Sequence, residues 1–325
     1  MSSLRVGLVG AGEMGRLHAR TVATEARRDA SCVLVGVADH HPGRAAALAR
    51  ECGGRGCERL EEIVEDVDAM IVAVPTCDHF ELACELLGRG LDLLVEKPLV
   101  ESVAEGEELV ARARRDGRIL QVGHVEWYNP AWREAARRAG TIHRIEVERV
   151  SPPTTRARDI DVVQDLMLHD LDWVTRLVGE EIVGIETHAR PTAAGRLEEV
   201  EATLHFQSGC TARLLASRIA SQRRREARIE GSQATVVADL LTRSVRREGE
   251  GTGEVEVEVE EQSGDPADPL TLQWRDFVEA VASRKQPPAS GEVGLAALRL
   301  VDRVQRSVEA DATEAKRDDD PRLRG

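Results

Sequence analysis

Lysine is nearly absent from this chain. Of its 44 basic side chains only Lys97, Lys285 and Lys316 are lysines, and arginine fills the other cationic positions. A lysine here therefore marks a place where arginine's fixed charge and planar fork would not serve equally well. Aromatic residues number only eight. Positive charge is outweighed by negative, for a formal net charge of −14, which argues against broad affinity for nucleic acid or an anionic membrane surface. A local basic pocket for a small anion stays compatible with that total. No apolar run approaches the ~18 residues of a membrane span. The opening "MSSLRVGLVG" enters a strand without a basic region or a long apolar stretch. Cysteines are few and scattered, at 32, 52, 57, 77, 84 and 210. They form no metal-like set, since Cys52 and Cys57 have no second pair to complete a site. A reduced, cytoplasmic protein is the expectation.

What is present is pattern. The 325 residues, 42% hydrophobic and 31% charged, leave room for two domains. Over residues 1–123, apolar strands at 4–10, 32–39, 69–75, 91–96 and 119–123 alternate with helical stretches near 13–28, 42–52, 77–89 and 102–116. Ser102 and Glu105 make a capping box at the start of the last helix. Short, nearly continuous apolar strands spaced by helices predict a parallel sheet covered on both faces. From 124 to 308 the pattern changes. A helix follows Pro130, a strand covers 142–150 and a helix 163–178. Alternating strands follow at 201–207, 211–217, 226–231, 234–240 and 254–261, then helices at 267–285 and 291–308. Consecutive strands without long crossovers predict an α+β domain with a large, mostly antiparallel open sheet. In "EVEVEVE", Val255, Val257 and Val259 share one face of a strand. Residues 309–325 read as a charged, frayed tail.

Four motifs carry chemistry. In "GLVGAGEMGRLHA", Gly10, Gly12 and Gly15 stand in G-x-G-x-x-G spacing between a strand and a helix, with Glu13 and Met14 inside the turn. Asp39, 24 residues after Gly15, ends the next strand. This is the fingerprint of a dinucleotide-binding Rossmann domain. Gly10 makes the turn, Gly12 admits a pyrophosphate, Gly15 packs helix on strand, and Asp39 binds a ribose. A carboxylate there favours NAD over NADP, although nearby Arg44 could accommodate the latter. "AVPTCDH" places Pro75, Thr76 and His79 at the carboxyl end of the third strand, where ligands of open α/β sheets collect. His79 reads equally well as a surface histidine. "EKP" puts Glu96 and Lys97 at another strand end, and desolvated lysine can share its proton where arginine cannot. Finally, "RDIDVVQDLMLHDLDWV" sets Asp165 and His169 four apart, on one helical face. A histidine can take a hydroxyl proton near neutral pH. The pair also reads as structural, with Asp170 and Asp172 capping or solvating the helix.

Together, the fingerprint, "AVPT..H", "EKP", D-x-x-x-H and the late sheet resemble the Gfo/Idh/MocA oxidoreductases along nearly the whole chain. The resemblance implies an NAD-dependent sugar or inositol dehydrogenase whose catalytic set is Lys97, Asp165 and His169, with Glu96, Lys97 and His124 beside the cofactor. "VGHVEWYNP" (122–130) and "RVSPPTTRARDIDVVQDLMLHDLD" (149–172) further resemble the branch that oxidises the 3-hydroxyl of UDP-N-acetylglucosamine. That likeness implies a nucleotide-sugar substrate touching Glu126, Asn129, Arg156 and Arg158 as well as the catalytic set. Trp127 stands where arginine is usual in that branch, and Ser151–Pro152 replaces a Gly–Pro. An aminotransferase partner, a role in lipid A or surface-glycan synthesis, and a homo-oligomer (dimer or tetramer) through the open sheet are further implications. Alternatives are another sugar or inositol as substrate, or a noncatalytic NAD-binding sensor on the same scaffold.

Overall fold

In the computed structural model, residues 3–153, 160–191, 196–248, 255–258 and 268–318 are described. The chain divides into two units. One comprises Met1–Tyr128 with Ala267–Leu298, the other Asn129–Pro266 with Arg299–Gly325.

The first unit is built on six parallel strands: β1 (Leu4–Val9), β2 (Cys32–Ala38), β3 (Arg55–Cys57), β4 (Ala69–Val72), β5 (Asp92–Val95) and β6 (Leu120–Val122), in the order β3-β2-β1-β4-β5-β6. β4 and β5 are wholly buried, which is why their sequences are continuous apolar runs rather than alternations. Helices α1 (Glu13–Asp29), α2 (Pro42–Cys52), α3 (His79–Gly88) and α4 (Val103–Arg115) link the strands. The capping box of Ser102 and Glu105 forms as expected. Strand order reverses beside β1, so the carboxyl ends of β1 and β4 flank the switch point where such sheets bind ligands.

One helix joins this unit from the far end of the chain. α7 (Pro269–Ser283), which its place in the sequence assigns to the second domain, instead lays Trp274, Phe277 and Ala280 into the core formed by β1, β2 and α1. The spacing of those residues shows an apolar stripe but not which sheet it covers. Two ion pairs fix α7 there: Arg275 to Glu25 at 2.7 Å, and Arg284, just past the helix end, to Asp92 at 2.6 Å.

The second unit holds an eight-stranded sheet: β7 (Ile142–Val150), β8 (Ile182–Pro191), β9 (Leu197–Phe206), β10 (Thr211–Ser217), β11 (Arg224–Gly231), β12 (Thr235–Asp239), β13 (Ser244–Glu248) and β14 (Val255–Glu258). Its order is β14-β13-β12-β11-β7-β10-β9-β8, antiparallel except where β10 runs parallel to β7. Strands β3, β8 and β13 do not stand out in the sequence; the first has only three residues and the third is SVRRE, with little apolar signal. Val259 lies outside the described residues. Helices α5 (Pro130–Ala139) and α6 (Leu168–Val178) pack on one face, over Ile145, Val147, Ala212, Leu214, Ala227 and Ile229. The other face carries paired charges: Arg213 reaches Glu201 at 2.7 Å, Arg228 reaches Glu248 at 2.9 Å, and Arg246 reaches Glu226 at 3.5 Å. The final helix, α8 (Gly291–Asp318), carries helical backbone through 309–318, beyond the expected helix end at 308. Among the described residues, no helix is long and apolar enough to cross a membrane. All six cysteines are free thiols.

Candidate active site

The first unit shows what each fingerprint glycine does. Gly10 has φ +94°, and a Cβ on it would lie 2.3 Å from the carbonyl oxygen of Ala73. A Cβ on Gly15 would lie 1.8 Å from the carbonyl oxygen of Gly10, so the helix can seat on β1 only without a side chain there. At Gly12 the result is the opposite: a Cβ would meet nothing within 4 Å. Gly12 is the N-cap of α1 and supplies no side-chain cap, which leaves the first-turn N–H groups of a 17-residue helix for an anion. Glu13 and Gly12 are exposed and Met14 half-buried at this mouth.

Asp39 is buried at the end of β2, and both its oxygens are held. One accepts from the Ala11 N–H at 2.7 Å, the other from the His41 N–H at 2.7 Å. The carboxylate is thus tied to the fingerprint loop before any ribose arrives, while Arg44 stands exposed in the first turn of α2. Open space at Gly12, the uncapped helix start and the fixed Asp39 together fit a dinucleotide. Asp39→Ala is expected to weaken NAD binding roughly tenfold or more, the worth of a charge-assisted hydrogen bond, and to narrow the preference over NADP. Titration with both cofactors checks this, and an unchanged ratio would contradict it.

Pro75 is exposed and Thr76 half-buried at the end of β4. His79 is not a surface histidine. It is 1% exposed, with Nδ1 3.0 Å from the Pro98 carbonyl oxygen and Nε2 3.0 Å from that of Val74. It ties the loop after β5 to the end of β4, so its ring serves the loop that carries Lys97. Lys97 itself is half-buried and followed by a cis peptide to Pro98. Glu96 is buried, accepting from the Lys97 N–H at 3.1 Å and meeting His18 Nε2 at 2.7 Å. His124 and Glu126, 1% and 6% exposed, lie in the segment just after β6.

In the second unit, Asp165 sits in a π-helical turn (Val163–Met167) that leads directly into α6, where His169 is the second residue. The sequence spacing suggested an ordinary α-helix. The wider i→i+5 turn is a rare local form that recurs at functional sites. Asp161 starts it, accepting from the N–H groups of Val163 and Gln164 at 2.9 Å and from Gln305 Nε2 at 2.6 Å. Arg218, at the end of β10, lies 3.5 Å from Asp165 and 2.9 Å from Glu198, and donates to the Ile160 carbonyl at 3.1 Å. Nothing in the sequence distinguished this arginine from the many others.

Asp170 and Asp172 neither cap nor solvate α6, being 2% and 3% exposed. Asp170 takes both prongs of the buried Arg149 at 2.7 Å and the indole N–H of Trp173 at 3.0 Å. Asn129, expected to meet substrate, also braces the fold. Its Oδ1 caps α5 at the Ala131 N–H and its Nδ2 donates to the Leu240 carbonyl. A residue just before Pro130 is the natural N-cap of a helix with proline at N1. Arg156 and Arg158 lie outside the described residues.

Residues 4–124 match the family described as "Oxidoreductase family, NAD-binding Rossmann fold", and residues 161–314 match its C-terminal alpha/beta domain. UDP-N-acetylglucosamine 3-dehydrogenase of Acidithiobacillus ferrooxidans is 30% identical over 316 residues, covering 95% of this chain and 99% of that protein. A solved structure of the same enzyme superposes with a TM-score of 0.85 at 29% identity, over 95% of this chain and 99% of that one. Inositol 2-dehydrogenase of Rhizobium meliloti is 30% identical over 332 residues, covering 94% and 97%. On these grounds the chain belongs to the Gfo/Idh/MocA family of oxidoreductases, with that family's NAD-binding domain at residues 4–124.

Proposed function

We propose that this protein oxidises the 3-hydroxyl of UDP-N-acetylglucosamine to the 3-ketone with NAD. The observation that carries the reading is the likeness, over nearly both full lengths, to an enzyme named for that reaction. Lys97 and the Asp165–His169 pair support it, because alcohol oxidation needs a group to take the hydroxyl proton and a cation to hold the oxygen. His169 takes that proton near neutral pH. Lys97 donates a hydrogen bond to the same oxygen and helps relay the proton, and Asp165 orients the imidazole. Bound NAD, held at Gly10, Gly12, Gly15 and Asp39, supplies the acceptor for the hydride.

Oxidation of a secondary alcohol by NAD is uphill near neutral pH, so the ketone needs a consumer. A sugar aminotransferase that works beside this protein in the cytoplasm and makes a 3-amino sugar, destined for lipid A or another surface glycan, would fill that place. The charged open face of the second sheet is where we place a second copy of the chain, as a dimer or tetramer; light scattering of the purified protein checks it. For the substrate, the enzyme is incubated with UDP-N-acetylglucosamine, NAD, an aminotransferase and an amino donor. Mass spectrometry is expected to show a UDP-sugar in which an amine replaces a hydroxyl. Its absence, with reduced cofactor forming instead from an inositol, would favour the inositol reading.

A further inference from the structure

The proposed mechanism leaves a buried pair in the NAD-binding unit without a role. His18, on the inward face of α1 three residues after Gly15, is 1% exposed, and Glu96, next to Lys97, is 6% exposed. Their side chains meet at 2.7 Å. The second carboxylate oxygen of Glu96 accepts from the Lys97 main-chain N–H at 3.1 Å. From β6 the neighbour is Gly123: a Cβ there would lie 2.9 Å from the Glu96 carboxyl, so the glycine leaves the carboxylate its place. His18 Nδ1 is buried and has no hydrogen-bond partner among the described residues. A carboxylate enclosed this way is an expensive feature unless its charge is used.

We infer that Glu96 and His18 are positioning residues for Lys97: Glu96 fixes the main chain at the lysine and presents a negative charge to its ammonium, and His18 holds Glu96 at that post. Glu96 was expected from the sequence to lie beside the cofactor; its two oxygens meet His18 Nε2 and the Lys97 N–H. The ionised state of Glu96 agrees. Burial pushes its carboxyl up, but the hydrogen bond and charge of His18, the Lys97 N–H and the Lys97 charge together hold it below the usual carboxylate range. Among the described residues, the charged or titratable groups that act on it are His18 from α1 and Lys97 from its own loop, and His124 follows Gly123 after β6. Because the inference concerns how Lys97 is tuned, it rests on the reading of Lys97 as an acid–base group.

The scarcity of lysine makes the test direct. An amine-reactive label can report only on the α-amino group, Lys97, Lys285 and Lys316, and exposed Lys285 serves as internal reference. The folded chain is labelled briefly at neutral pH without sugar and the Lys97-to-Lys285 ratio is read by mass spectrometry. Removing an opposite charge beside an ammonium favours the neutral amine, on the order of tenfold for one unit. Glu96→Gln, which keeps shape and hydrogen-bonding capacity, is therefore expected to raise the ratio about tenfold. His18→Leu should follow it, whereas His18→Gln, which keeps an N–H donor for Glu96, should stay near the parent. Thermal midpoint and NAD affinity are measured alongside, and a raised ratio counts only in variants that keep both. An unchanged ratio in folded Glu96→Gln, or the same rise in His18→Gln as in His18→Leu, would overturn the inference. No sugar is present, so failure here and failure of the substrate reading are separate results.

Discussion

Lys97→Arg is expected to lower turnover by ~10²–10⁴-fold while leaving NAD binding close to the parent. The substitution keeps positive charge at the end of β5, so it asks whether charge alone is the lysine's contribution. Guanidinium is planar, bulkier and effectively never deprotonated, and cannot share a proton with a substrate oxygen. The residues proposed to hold the far end of the cofactor are the fingerprint turn and Asp39, and Asp39 is fixed by the N–H groups of Ala11 and His41 rather than by Lys97. His169→Ala should show the same separation: folded, NAD-binding and nearly inactive. Steady-state kinetics with cofactor titration decide the matter. Turnover near the parent's in Lys97→Arg would show that the lysine serves only as a charge.

The second large effect is on stability. Arg149 and Asp170 form a bidentate pair with side chains 1% and 2% exposed. Arg149→Met leaves the carboxylate buried with the Trp173 indole N–H and without its counter-ion. Breaking a buried pair from one side typically costs about 3–5 kcal/mol. In a domain of this size that corresponds to a fall in melting temperature of roughly 10 °C. Because Asp170 adjoins His169 on α6, activity should fall with it. Arg149→Met combined with Asp170→Leu should recover much of the loss, since two apolar groups leave no stranded charge. Thermal melts of the single and double variants check this. A double variant no more stable than the single would mean that the pair's geometry, rather than the stranded charge, sets the cost.

Much of this was legible in the sequence because period and spacing are local properties. The βα alternation, the G-x-G-x-x-G turn and the Asp39 position follow from neighbours along the chain, and each glycine has the surroundings its role requires. What stayed hidden depends on distant partners. His79 read equally well as a neighbour of the cofactor or a surface histidine, because nothing local says that two carbonyls, of Val74 and Pro98, enclose it. The cap that Asn129 forms on α5 was signalled locally by its place before Pro130. The apolar stripe of α7 could not name its sheet. Arg218, Arg149 and His18 were invisible for a common reason: in a chain so rich in arginine and charge, a buried ion pair is indistinguishable from a solvated one until the fold brings its partner to it.

The central claim is that this chain removes hydride from C3 of UDP-N-acetylglucosamine. The most direct measurement uses that nucleotide sugar carrying deuterium at C3, incubated with the enzyme and NAD, with both recovered species analysed by mass spectrometry. Deuterium is expected to leave the sugar and appear in the reduced cofactor, in the parent enzyme and not in His169→Ala. Reduced cofactor without deuterium, or a sugar that keeps its label while an inositol is oxidised, would contradict the account.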